Sequence, residues 1–189
     1  MAARHTQRDL FGKPIRRRRP RFEWSLERAE KATLPVRAER IRWLERVIPR
    51  NRAFGMPLET FYVFEEAKSS FVYGCFVAST VLSAAFVEHW LGARLSQQGF
   101  SKEVERGLAA MTECCRKNNL LNSTLLDRID RLRLIRNPFA HLKSFDHPHG
   151  LGQRSLRGRS HPEQMLETDA KESLTTMYTV AAAYAFAKT

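Results

Sequence analysis

Cysteine is scarce in this sequence of 189 residues. There are three, Cys75, Cys114 and Cys115, two of them adjacent and none in a C-x-x-C pair. That excludes a disulfide framework and a zinc finger, and it points to a reduced, cytoplasmic protein. The first residues, MAARHTQRDLFGKPIRRRR, are charged and lack the apolar core of a secretory signal. No window alternates apolar and polar residues with period two, so strands are not expected. Acidic residues are also in deficit, 20 against 32 Lys and Arg, a net charge of +12. An imbalance of that size predicts a polyanionic partner and says little about fold.

Most of the excess lies at the N-terminus: residues 1–60 carry 16 Lys/Arg and 7 Asp/Glu. Within 1–23, two prolines accompany the run Arg16, Arg17, Arg18 and Arg19, and a like-charged stretch with prolines cannot bury a core. This segment reads as a disordered basic arm that holds nucleic acid through its phosphates. A helical extension follows over 24–57, with short helices at 24–33 and 36–48 separated by Leu34-Pro35.

The hydrophobic share, 43%, is enough for a core. Residues 58–95 predict the longest helix, with Phe64, Ala67, Phe71, Cys75, Ala78, Leu82 and Ala85 on one stripe and Val72, Phe76, Phe86 and Trp90 beside it. Its 19 uncharged residues between Lys68 and Glu88 are long enough to raise a membrane span. The polar residues scattered through them, and the lack of a second such segment, favour a central core helix and no membrane. Further helices are expected over 102–117, stopping at Asn118-Asn119, from Ser123 or Thr124 through Leu125, Ile129, Leu132 and Ile135, and over 163–187. Residues 144–162, rich in Gly, His, Pro, Ser and Arg, read as a loop. The fold class is all-α, an up-and-down bundle of four to five helices over 58–189.

One segment departs from this pattern: Arg136-Asn137-Pro138-Phe139-Ala140-His141. In a straight helix, residues five apart point about 140° away from each other. Pro138 disfavours helical geometry at Asn137, so a restart is expected, with Asn137 as N-cap and Pro138 as first helical residue. Such a bend brings guanidinium and imidazole to one surface beside a helix N-terminus, a suitable place for a phosphate. The same spacing also fits a snorkelling arginine, a capping asparagine and a polar histidine without a role in chemistry.

Arg-Asn-x-x-x-His at the end of a helix resembles the R-x4-6-H signature of the HEPN superfamily. FVYGCFVASTVLSAAFVEHWLGARL is similar to the family's central helix, with Glu88 as its acidic residue, and LLDRIDRLRLIRNPFAH to its motif-bearing helix. The resemblance spans about 60–187. It implies a homodimeric helical bundle acting as an RNA-cleaving, metal-independent endoribonuclease without a cofactor, in a toxin or phage-defence setting with an antitoxin as partner. It further implies His141 as manager of the 2′-hydroxyl proton, Arg136 as the phosphate-binding residue and Asn137 as an orienting group. A toxin subgroup carries tyrosine two places after the histidine; this chain has Lys143.

Lys143, Arg154, Arg157 and Arg159 flank the motif as RNA-backbone contacts, and Glu88 is placed to anchor Arg136. The group His141, Asp146, His147 and His149 matches no established metal-ligand spacing, so no metal is expected. Gln7-Arg8-Asp9-Leu10-Phe11 resembles the Q-x-[SD]-L-F pentapeptide that grips the bacterial replicative sliding clamp, with Gln7, Asp9, Leu10 and Phe11 as its matching positions. The alternative function is thus a non-catalytic dimeric module that binds nucleic acid or a replication protein.

Overall fold

The computed structural model describes residues 21–48 and 56–184. Among them are eight α-helices and no strand: α1 (Arg21–Val47), α2 (Leu58–Val72), α3 (Phe76–Gln97), α4 (Ser101–Glu105), α5 (Leu108–Lys117), α6 (Ser123–Ala140), α7 (Leu151–Gly158) and α8 (Pro162–Tyr184). The fold is an all-α helical bundle. The chain divides into two compact units, Met1–Val36 and Arg37–Thr189. The boundary falls after Val36, one residue past Pro35, which lies inside α1 where the sequence suggested a gap between two helices. In the first unit, Arg28 stacks on Trp24 and the Ser25 hydroxyl donates to the Arg21 carbonyl. Residues 1–20, with the arginine run and the clamp-like pentapeptide, lie outside the described residues.

In the second unit, two glycines turn expected single helices into pairs. The apolar run 58–95 breaks at Gly74 (φ +82°), where the Cys75 amide donates to the Ser70 carbonyl at 2.8 Å. That six-to-one bond with a left-handed residue before it is a glycine-specific helix stop. The Arg40 guanidinium closes the same end, donating to the Val72 carbonyl at 3.3 Å and lying over the Phe76 ring. Likewise 102–117 splits at Gly107 (φ +82°) into α4 and α5. Asn118-Asn119 stops α5 as expected, with Asn119 left-handed.

The break at Gly74 rotates the α3 stripe away from its predicted register. Phe64, Ala67 and Phe71 are buried on α2, but Cys75 and Ala78 are exposed, which corrects the core assignment of Cys75. The inward face of α3 is Phe76, Ser79, Thr80, Ser83, Phe86, Val87, Trp90 and Leu91. Aromatic rings join the helices at this face: Phe64 meets Phe86 at 5.3 Å and Tyr178 of α8 edge-on at 5.4 Å, and Phe86 stacks on Trp90. Trp43 of α1 packs on Phe71. Burial of that much aromatic surface is the main cohesive term of the bundle. Among the described residues, α3 alone is long and apolar enough to cross a membrane by length and composition, and 56% of its apolar window is buried inside the bundle. Central packing therefore accounts for its composition.

Asn122 caps α6, its side-chain oxygen accepting from the Leu125 amide at 2.8 Å. Leu125, Leu126, Ile129, Leu132 and Ile135 are buried, which fixes the face that α6 turns to the core. The segment expected to be a loop, 144–162, contains α7. The helix is held from outside its own sequence: Arg154 on α7 makes a bidentate pair with Asp169 on α8, at 2.7 and 2.6 Å.

Candidate active site

Arg136 lies in the last turn but one of α6, and its position follows from the buried stripe that ends at Ile135. Its side chain is 18% exposed. One terminal nitrogen donates to Glu88 Oε2 of α3 at 3.2 Å. The other faces His141 Nε2 at 3.4 Å and Asn137 Oδ1 at 3.5 Å. The sequence-predicted residues Glu88, Arg136, Asn137 and His141 therefore share one surface.

The way they meet differs from expectation. α6 does not restart at Pro138 but runs through it to Ala140. Pro138 lies in the last turn, where it forgoes the bond to the Leu134 carbonyl and its ring crowds that carbonyl, and the helix ends two residues later. Asn137 is not an N-cap; its carbonyl accepts the His141 amide at 2.9 Å. His141 is the C-cap, with extended backbone (φ −139°, ψ 135°). Leaving helical geometry at residue 141 cancels the 140° divergence and lets the imidazole return over Arg136. The site thus stands at a helix C-terminus, the negative end of the dipole. Charge on a bound anion would be met by the guanidinium and not by helix amides.

Arginine has no acceptor, so a hydrogen bond across this contact needs the lone pair of Nε2, the tautomer that carries its proton on Nδ1. The site presents an exposed imidazole beside a cation that is itself held by a carboxylate. Glu88 is supported in turn: its Oε1 lies against Gly107 at the start of α5, where helix polarity favours negative charge.

The flanking cations are not equivalent. Lys143, Arg157 and Arg159 are exposed, and Arg159 is the left-handed C-cap of α7. Arg157 donates to the carbonyls of Gln153 and Pro148. Arg154, expected on the RNA surface, has its guanidinium committed to Asp169, whose side chain is 2% exposed. Its role is to fasten α7 to α8. Asp169 was legible as an acid at helical spacing between Leu166 and Leu174, a position that requires a buried partner. In the preceding loop, His147 and His149 approach to 5.8 Å between rings. Burial first, then His147 and the guanidiniums of Arg157, Arg154 and Arg133, hold His149 below the usual histidine range. Asp146 is kept more acidic than usual by Ser144 and its own amide. Among the described residues, no group of three or more His, Cys, Asp or Glu is arranged to hold a metal ion.

Compared with protein-family models, curated proteins and solved structures, the chain matches none.

Proposed function

We propose that the protein is a metal-independent endoribonuclease of the HEPN type. The observation that carries this reading is the 3.4 Å approach of Arg136 to His141, with Glu88 behind the arginine at 3.2 Å. His141 Nε2 accepts the proton of a ribose 2′-hydroxyl as the 2′-oxygen forms a bond to phosphorus. Arg136 turns its fork from the imidazole to the non-bridging oxygens and stabilises the charge that grows there. Asn137 orients the guanidinium through its side-chain oxygen. The bond to the 5′-oxygen breaks, leaving a 2′,3′-cyclic phosphate and, after proton transfer, a 5′-hydroxyl. Two copies would bring two such pairs into one cleft, and an antitoxin partner in a toxin or phage-defence system would cover it.

The test is cleavage of single-stranded RNA in EDTA by the full chain. Arg136→Ala and His141→Ala should each lower the rate by at least about 100-fold, the usual worth of one such group, with helicity and oligomeric state unchanged. Cutting at the same rate by wild type and both variants would refute the assignment. Binding of RNA without cutting would leave the non-enzymatic module as the function.

A further inference from the structure

Two large apolar side chains that follow His141 closely in the chain stand in water: Leu142 at 101% and Phe145 at 92% relative exposure. Phe145 is carried on a turn that several hydrogen bonds hold. The His147 amide donates to the Ser144 carbonyl at 3.1 Å, closing a tight turn with Phe145 at its first corner. Gln153 of α7 donates to the Phe145 carbonyl at 3.4 Å, Arg157 donates to the Pro148 carbonyl, and the Gly150 amide bonds the His147 carbonyl at 2.8 Å. Two backbone bonds and two from side chains of α7 thus fix a turn whose ring faces solvent, and a rigidly presented apolar group of this size marks an interaction site.

Charge identifies the occupant. Between His141 and Arg159 the exposed cations are Lys143, Arg157 and Arg159, against one acid, Asp146, with Arg154 already paired to Asp169. A polyanion with flat faces satisfies both the cations and the ring. Phe145 follows His141 by four residues, which span at most about 14 Å, so a strand that engages the imidazole can also reach the ring.

We infer that Phe145 is a stacking platform for a base of single-stranded RNA near the scissile phosphate, with Lys143 holding the backbone between. This rests on the nuclease reading and gives it a substrate class, an unpaired strand. Binding is measured by fluorescence anisotropy with a 2′-O-methyl oligoribonucleotide, which cannot supply the attacking hydroxyl, and with versions carrying one abasic position moved along the strand. Phe145→Ala should weaken binding by between about 5-fold and about 150-fold, the worth of one base–aromatic stack, and Phe145→Trp should retain affinity. Phe145→Leu, as apolar but not flat, should behave like alanine. One abasic position should weaken wild type by a similar factor and leave Phe145→Ala unaffected.

Equal binding by wild type and Phe145→Ala would overturn the inference. So would affinity retained in Phe145→Leu, a change of sedimentation instead of RNA binding in Phe145→Ala, or loss confined to capture by phosphatidylserine vesicles. Cleavage separates the two claims: stacking without cutting removes only the nuclease reading, and cutting unaltered in Phe145→Ala removes only the platform.

Discussion

Removing the Arg154 guanidinium should cost the fold far more than an ordinary surface ion pair. Asp169 is buried, and both its oxygens accept from Arg154 at 2.6–2.7 Å, with 16% of the arginine side chain exposed. Arg154→Met keeps the aliphatic stem but leaves an unpaired carboxylate inside the bundle, which costs about 3–5 kcal/mol. A domain of this size has about 5–15 kcal/mol in all, so the variant should still fold, with a lowered urea midpoint by far-UV circular dichroism. Arg154→Met with Asp169→Leu removes both charges and should return to within about 1 kcal/mol of wild type or exceed it. The pair also predicts a negative result on RNA. Its charge is already neutralised internally, so the double variant should keep the slope of log affinity against log salt, while Lys143→Ala should reduce it. A loss below about 1 kcal/mol in Arg154→Met, the range of exposed pairs, would mean that Asp169 is hydrated and would refute the reasoning.

Two further outcomes follow from local geometry. Gly74→Ala and Gly107→Ala each force a side chain to positive φ, at about 1–2 kcal/mol. At Gly107 the new carbon meets Glu88 Oε1 at a comfortable 3.5 Å, but at Gly74 it comes to 3.0 Å from Arg40 Nη1. Gly74→Ala should therefore be the more destabilising in urea titration, and the reverse order would contradict the packing. His149 is held below its usual 6.5, so the unfolded chain takes up the proton more readily than the folded one. Its contribution to stability is complete above pH 6.5 and is lost as pH falls through the folded value. His149→Asn should flatten the decline of the urea midpoint between about pH 7 and about pH 5; parallel declines would show that the ring titrates alike in both states.

Helix placement was readable wherever apolar spacing and a stop signal agreed. Leu125, Ile129, Leu132 and Ile135 were all expected inward and all are buried. The breaks at Gly74 and Gly107 were missed because apolar residues continue through each at helical spacing, and only the sign of φ separates a tolerated glycine from a terminating one. α7 was hidden for the opposite reason: its composition is that of a loop, and it is held by a carboxylate 15 residues away in sequence. At the site, the meeting of Arg136 with His141 was expected, but by a restarted helix. Proline chemistry alone cannot distinguish a first turn from a last one, and here the His141 amide bonding back to Asn137 decides it.

The Glu88–Arg136 contact also sets how an RNA strand would find the site. One carboxylate and one guanidinium sum to nothing, so the pair exerts little pull on a distant polyanion. Arrival would be governed by the exposed cations of the neighbouring segment, and capture would be an exchange in which phosphate displaces the ring from one side of an arginine already engaged on the other. Encounter and retention would accordingly answer to different side chains, the first strongly sensitive to ionic strength and the second much less so.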